Sequence, residues 1–147
     1  MHFEGVFDVA AIRTKVFEVV TDPRRVASCM PDLQEVDVKS PDEFDAVVKV
    51  GVSFIRGDFT VRFRTIEKEA PSSAKMMVHG GGLGSALDMQ ITMSLTERDA
   101  GGTSMKWEAD ATVSGKIASL GQRLMESQAE KIIKQFFTCL RGKLERT

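Results

Sequence analysis

The sequence predicts an α+β fold in which a curved, seven-stranded antiparallel sheet wraps around one long C-terminal helix. Three observations carry that expectation. Apolar and polar residues alternate over much of 33–115, the breaks between the alternating runs are too short to hold helices, and 116–145 carries an apolar stripe at helical spacing.

Taken in order, residues 3–9 set Phe3, Gly5, Phe7 and Val9 against Glu4 and Asp8, the pattern of a strand with one buried face. Residues 11–20 place Ile12, Val16, Phe17 and Val20 at helical spacing. Asp22 and Pro23 then supply an N-cap and a first-turn proline for a second short helix to about Ser28, which Pro31 stops. Six more strands follow, separated by breaker clusters at 40–43, 55–57, 71–73, 80–84 and 100–102. Alternation is clearest where Phe59, Val61 and Phe63 oppose Thr60, Arg62 and Arg64, and where Leu87, Met89, Ile91, Met93 and Leu95 oppose Asp88, Gln90, Thr92 and Ser94.

Strands joined by such short turns must pair antiparallel, because a parallel connection needs a crossover of a dozen or more residues. The resulting sheet has one apolar face to cover. From about Lys116 to Glu145 the chain offers about 30 residues, or ~45 Å if helical throughout. Its stripe runs through Ile117, Leu120, Leu124, Ala129, Ile132, Ile133, Phe136, Phe137, Leu140 and Leu144, with Arg141, Lys143 and Arg146 suiting a helix C-terminus. There is no repeat, linker or low-complexity stretch, so 1–147 reads as a single domain.

With 147 residues, 42% of them apolar and 28% charged, the chain can bury one sizeable core and is not a disordered sequence. Its 20 basic and 21 acidic residues are interspersed, which disfavours nucleic acid as a partner. No charged leader precedes an apolar run at the N-terminus and no stretch of about 18 apolar residues occurs, so a cytoplasmic protein without a transmembrane segment is expected. Cys29 and Cys139 lack nearby partners at metal-ligand spacing and read as two buried thiols; a disulfide would require them to meet in space. No cofactor motif and no metal site is expected.

A sheet curled around a helix makes a wedge whose open end is a natural pocket. By alternation, Phe63, Met76, Val78, Met89, Met93, Met105 and Trp107 face it from the sheet, and Leu120, Leu124 and Gln128 face it from the helix. Methionines repack around irregular guests, although the same stripe suits plain core filling; the wedge geometry is what favours a cavity. No catalytic constellation is evident. Tyrosine is absent, the inward faces hold almost no acids or bases, alternation turns His79 outward, and His2 is weaker still. The glycines at 80–84 lie between two strands and lack the Lys-Ser/Thr and helix start of a phosphate loop, so a flexible hairpin loop is expected. Arg24, Arg25, Lys131, Lys134 and Arg141 read as solvated helix faces, with a basic patch for headgroups as the alternative.

Several stretches together resemble the carbon monoxide dehydrogenase G-subunit family, within the START-like (SRPBCC) helix-grip superfamily. They are Phe3, Gly5 and Phe7 in the first strand; Thr21-Asp22-Pro23 with Val26-Ala27 and Cys29-Met30-Pro31; Gly57-Asp58-Phe59; the glycines at 80–84; and Val113-Ser114-Gly115-Lys116-Ile117-Ala118-Ser119-Leu120-Gly121. The resemblance implies a helix-grip fold with an apolar cavity, association with molybdenum-containing CO dehydrogenase-type hydroxylases, and no catalytic residue. It leads to a lipid or quinone as the expected guest, with enzyme subunits of that system as partners. Longer members carry a C-terminal extension associated with membrane attachment, whereas this sequence ends at Thr147, so recruitment by such a tail is not expected and only peripheral membrane contact stays open. Asp32 stands where similar members usually have glycine. Two other functions compete: a cyclase or aromatase of the same superfamily, and an assembly factor that binds a partner protein.

Overall fold

The computed structural model describes residues 1–146. Seven strands form one antiparallel sheet: β1 (His2–Val9), β2 (Leu33–Ser40), β3 (Glu43–Val52), β4 (Ile55–Glu69), β5 (Ser73–Gly82), β6 (Ser85–Glu97) and β7 (Thr103–Gly115). The spatial order is β1-β7-β6-β5-β4-β3-β2, a six-strand meander with the first strand added beside the last. Two short helices, α1 (Arg13–Val20) and α2 (Pro23–Ser28), connect β1 to β2, and α3 (Gln122–Glu145) follows β7. This is the helix-grip arrangement expected from the patterning.

Local chemistry sets most of the boundaries. The Asp22 side chain accepts a hydrogen bond from the Arg24 N–H (3.0 Å) with Pro23 in the first turn, so α2 begins where an N-cap and a fixed φ coincide. Asp32 adopts φ 57°, a left-handed conformation that aspartate tolerates and glycine adopts freely; that is a physical reason for glycine at the matching position in similar proteins.

Three sequence expectations are corrected. The break placed at 55–57 lies at Ser53 and Phe54, and residues 55–57 belong to β4. Gly80, Gly81 and Gly82 belong to β5 and not to a loop; at Gly80 a Cβ would lie 2.4 Å from the Phe59 ring, so that residue is small because an aromatic ring covers it. The long helix starts at Gln122 and not near Lys116, since a 3-10 turn at Ala118–Leu120 and Gly121 with φ 96° separate it from β7.

A fourth correction concerns the cysteines. Cys29, the residue that caps α2, and Cys139 of α3 form a disulfide with their Cα atoms 5.5 Å apart. Two thiols 110 positions apart gave no pairing signal in sequence; the fold brings the end of α2 against the last turns of α3.

The core divides into two clusters. One joins Phe7, Val9, Val16, Phe17, Val20, Met93, Leu95, Met105, Leu140 and Leu144. The other joins Val26, Ala27, Phe44, Ala46, Phe59, Val61 and Val78. Among the described residues, only the partly buried Ile91 and Phe136 pack against both.

Candidate functional site

The division of the core follows from how α3 is held. Its C-terminal half is fixed: Leu140 and Leu144 are buried, the Phe137 ring lies 4.8 Å from that of Phe7, and the Arg141 guanidinium sits over the Phe7 ring, 4.9 Å from its centre. Lys15 Nζ donates to the Leu144 carbonyl (3.1 Å), and Glu145 accepts from the Ala10 N–H (2.9 Å). The N-terminal half has no buried residue and no side-chain cap. It spans a cavity of about 440 Å³ and does not close onto the sheet.

That cavity lies between the inner face of the sheet and α3. Sheet residues lining it include Phe63, Met76, Val78, Met89, Met93, Met105 and Trp107, all seven expected from alternation. Gly5 faces Trp107 across the β1–β7 pair, and a Cβ there would lie 3.0 Å from the indole, so the absence of a side chain lets the ring lie over β1. Trp107 then reaches Phe137 with ring centroids 5.4 Å apart.

On the helix side Gln128 lines the cavity, whereas Leu120 and Leu124, placed on that wall by the sequence pattern, do not. The lining residues are Met125, Gln128, Ala129, Ile132, Ile133, Phe136 and Phe137, a stripe at spacings of three and four. Leu120 belongs to the separate 3-10 turn, and the break at Gly121 resets the helical phase, which moves Leu124 to the edge of the stripe. Alternation also missed Met30 and Pro31, which reach the cavity from the α2–β2 link.

Nearly all the lining is apolar. Its charged side chains are Asp32 and Lys49, which together with Ile132 are its exposed members and mark the rim. The Lys49 N–H donates to the Asp32 carbonyl (3.0 Å), tying β3 to the α2–β2 link at that rim. Gln128, half-buried on the helix wall, is the neutral polar side chain of the lining. Such a space dissolves a hydrocarbon guest and offers one amide to a polar head.

The remaining candidates lie outside it. His79 is exposed on the outer face and hydrogen-bonds Asp88. His2, Glu4 and Glu108 bring ligand-type atoms within 4.8 Å of one another on that same outer face. The hydrogen bond that His2 Nδ1 makes with the Asp110 carboxylate (2.6 Å) favours the protonated ring and raises its pKa above the usual 6.5. The basic residues grouped in the sequence are partly engaged, Arg25 with Asp22 and Arg141 with Glu145.

A family model for the carbon monoxide dehydrogenase G subunit (CoxG) matches residues 5–145. The chain belongs to that family. No curated protein sequence matches it. Solved structures show that the CoxG-family chain shares its fold widely. A conserved protein from Geobacillus kaustophilus superposes with a TM-score of 0.89 at 20% identity, covering 98% of this chain and 95% of that one. A START superfamily protein from Mycobacterium smegmatis gives 0.75 at 13% identity, with 98% and 97% covered. The ZhuI aromatase/cyclase from Streptomyces sp. R1128 gives 0.70 at 17% identity, with 99% and 94% covered. At these identities the likeness concerns the fold. Among the described residues of this CoxG-family member, no helix is long and apolar enough to cross a membrane.

Proposed function

We propose that this chain binds an elongated apolar small molecule, a lipid or a quinone, between its sheet and the N-terminal half of α3, and serves a CO dehydrogenase-type molybdenum hydroxylase system without catalysing a reaction itself. The observation that carries the reading is the cavity of about 440 Å³, within the range of small-molecule sites, whose wall is apolar except for Gln128 and the rim pair Asp32 and Lys49. Phe63, Met76, Val78, Met89, Met93, Met105 and Trp107 would solvate the tail. Gln128 would donate its amide N–H to a carbonyl or hydroxyl head. The family supports the link to CO dehydrogenase.

The fold shared with an aromatase/cyclase prompts a catalytic alternative. Acid–base chemistry on a bound guest calls for ionisable groups converging on it, whereas the charged lining residues stand at the rim. Native mass spectrometry on protein isolated gently from its host tests the leading reading. A reproducible lipid-like or quinone-like adduct is expected, and a cavity empty in every preparation counts against it.

A further inference from the structure

Seven of the eight methionines of the chain line the cavity, and the eighth, Met77, is half-buried on the outer face, in register with Arg64 and Gln90. The cavity methionines divide as the core does. Met76, Met93 and Met105 are buried in the cluster beneath the fixed half of α3, with 7%, 7% and 2% of their surface accessible. Met30, Met89 and Met125 are half-buried. Met30 lies on the α2–β2 link close to the rim residue Asp32, and Met125 on the half of α3 that has no buried residue. Met89 is on β6, flanked by Val78 and Ala111 of the neighbouring strands, so its accessible surface faces the cavity.

A thioether is apolar and polarizable, and it is the readily oxidised group of such a lining; its sulfoxide is polar. The sulfur lone pair attacks one oxygen of hydrogen peroxide, and an S–O bond forms as the O–O bond breaks. The second oxygen takes up the proton of the first and leaves as water, so the sulfur gives up two electrons and the peroxide is reduced. We propose that Met30, Met89 and Met125 form a peroxide modification site whose sulfoxides bar the cavity to apolar guests.

The consequence for guests rests on the reading that the cavity binds one, whereas the order in which the methionines oxidise does not. At Met30 and Met89 a sulfoxide oxygen stands in an apolar wall, where a hydrocarbon guest would bury it without a partner. Met125 lies three positions before Gln128 on the same stripe, so its sulfoxide oxygen accepts the Gln128 amide N–H and removes the donor proposed for a guest's head. A bound guest in turn covers all three sulfurs. Occupancy and oxidation therefore exclude each other.

Limited treatment with hydrogen peroxide, followed by peptide mapping of the added oxygen, tests the site, and the apolar dye N-phenyl-1-naphthylamine, which brightens in apolar surroundings, reads the cavity. In the unloaded protein Met30, Met89 and Met125 should oxidise before Met76, Met93 and Met105. Saturating dye should slow the first three and leave the rate at Met77 unchanged. Sulfoxidation of the three should weaken dye binding about tenfold, the order expected for one polar group buried unpaired. The Met30→Leu/Met89→Leu/Met125→Leu variant keeps side-chain volume without the sulfur, and peroxide should weaken its dye binding less than about twofold from its own starting value. Met77→Leu should respond to peroxide as the wild type does. Oxidation of Met105 as fast as Met30 and Met125 overturns the proposal, as does a triple variant that loses as much as the wild type. If the triple variant does not fold, the wild-type map and dye titration decide alone. Dye binding that survives sulfoxidation of all three overturns this proposal and leaves guest binding standing, whereas no dye uptake by the unmodified protein overturns both.

Discussion

Breaking the Cys29–Cys139 bond should cost the protein much of its stability. The two residues lie 110 positions apart, so the bond closes most of the chain into a loop and restricts the unfolded ensemble strongly. In the chain-entropy treatment, a loop of that length corresponds to about 4.8 kcal/mol at room temperature. Domains are typically stable by only about 5–15 kcal/mol, so the bond is a large share of the whole. For 147 residues at about 2.1 cal/mol/K each, the loss corresponds to a fall in Tm of about 15 °C. Differential scanning fluorimetry with and without a dithiol reductant reads that shift directly. Cys29→Ala, Cys139→Ala and the double variant should fall by nearly the same amount, because each removes the same bond and the second substitution has little left to remove. A Tm unchanged by reductant, or two thiols that alkylate in unreduced, denatured protein, would refute the reasoning. The same thiol trapping in intact cells also tests location: disulfides are scarce in reducing cytosol, so the cytoplasmic placement expected from sequence calls for reduced cysteines there.

Other expectations follow from single positions. Ala129→Phe places a ring in the cavity and should abolish any adduct in native mass spectrometry while holding or raising Tm, since it fills space and displaces no core residue; Leu124→Ala, off the lining stripe, should leave the adduct intact. Gly80→Ala should destabilise by about 1–3 kcal/mol in denaturant titration, as the new methyl meets the Phe59 ring. Asp32→Gly should raise stability by up to about 1 kcal/mol by relieving the left-handed backbone strain at that turn. His2 should titrate above 6.5 by NMR and return towards it in Asp110→Asn; because its folded pKa is raised, its contribution to stability is complete below pH 6.5 and fades as pH rises through the higher folded value.

The sheet wall of the cavity was legible because a strand has a period of two. Once Phe59, Val61 and Phe63 are assigned inward, the register carries the assignment across every neighbouring strand to Met76, Met89 and Trp107. The helix wall was less so. A helix turns by about 100° per residue, so shifting its start past Gly121 rotates the face enough to exchange Leu124 for Met125. Gly80–Gly82 misled for a related reason: sequence shows that a residue lacks a side chain, and only packing shows whether a turn or an overlying ring requires it. The disulfide depends on a contact between residues distant in sequence, for which one chain offers no local periodicity.

The two halves of the core, bridged by the partly buried Ile91 and Phe136, bear on how the molecule melts. A hydrophobic guest lying between them would act as the missing middle of a single core, touching residues of both clusters at once. Folding cooperativity would then depend on occupancy. The loaded protein should unfold in one sharp transition, and the emptied one should lose its two halves over a broader range, with the disulfide as the covalent tie between them.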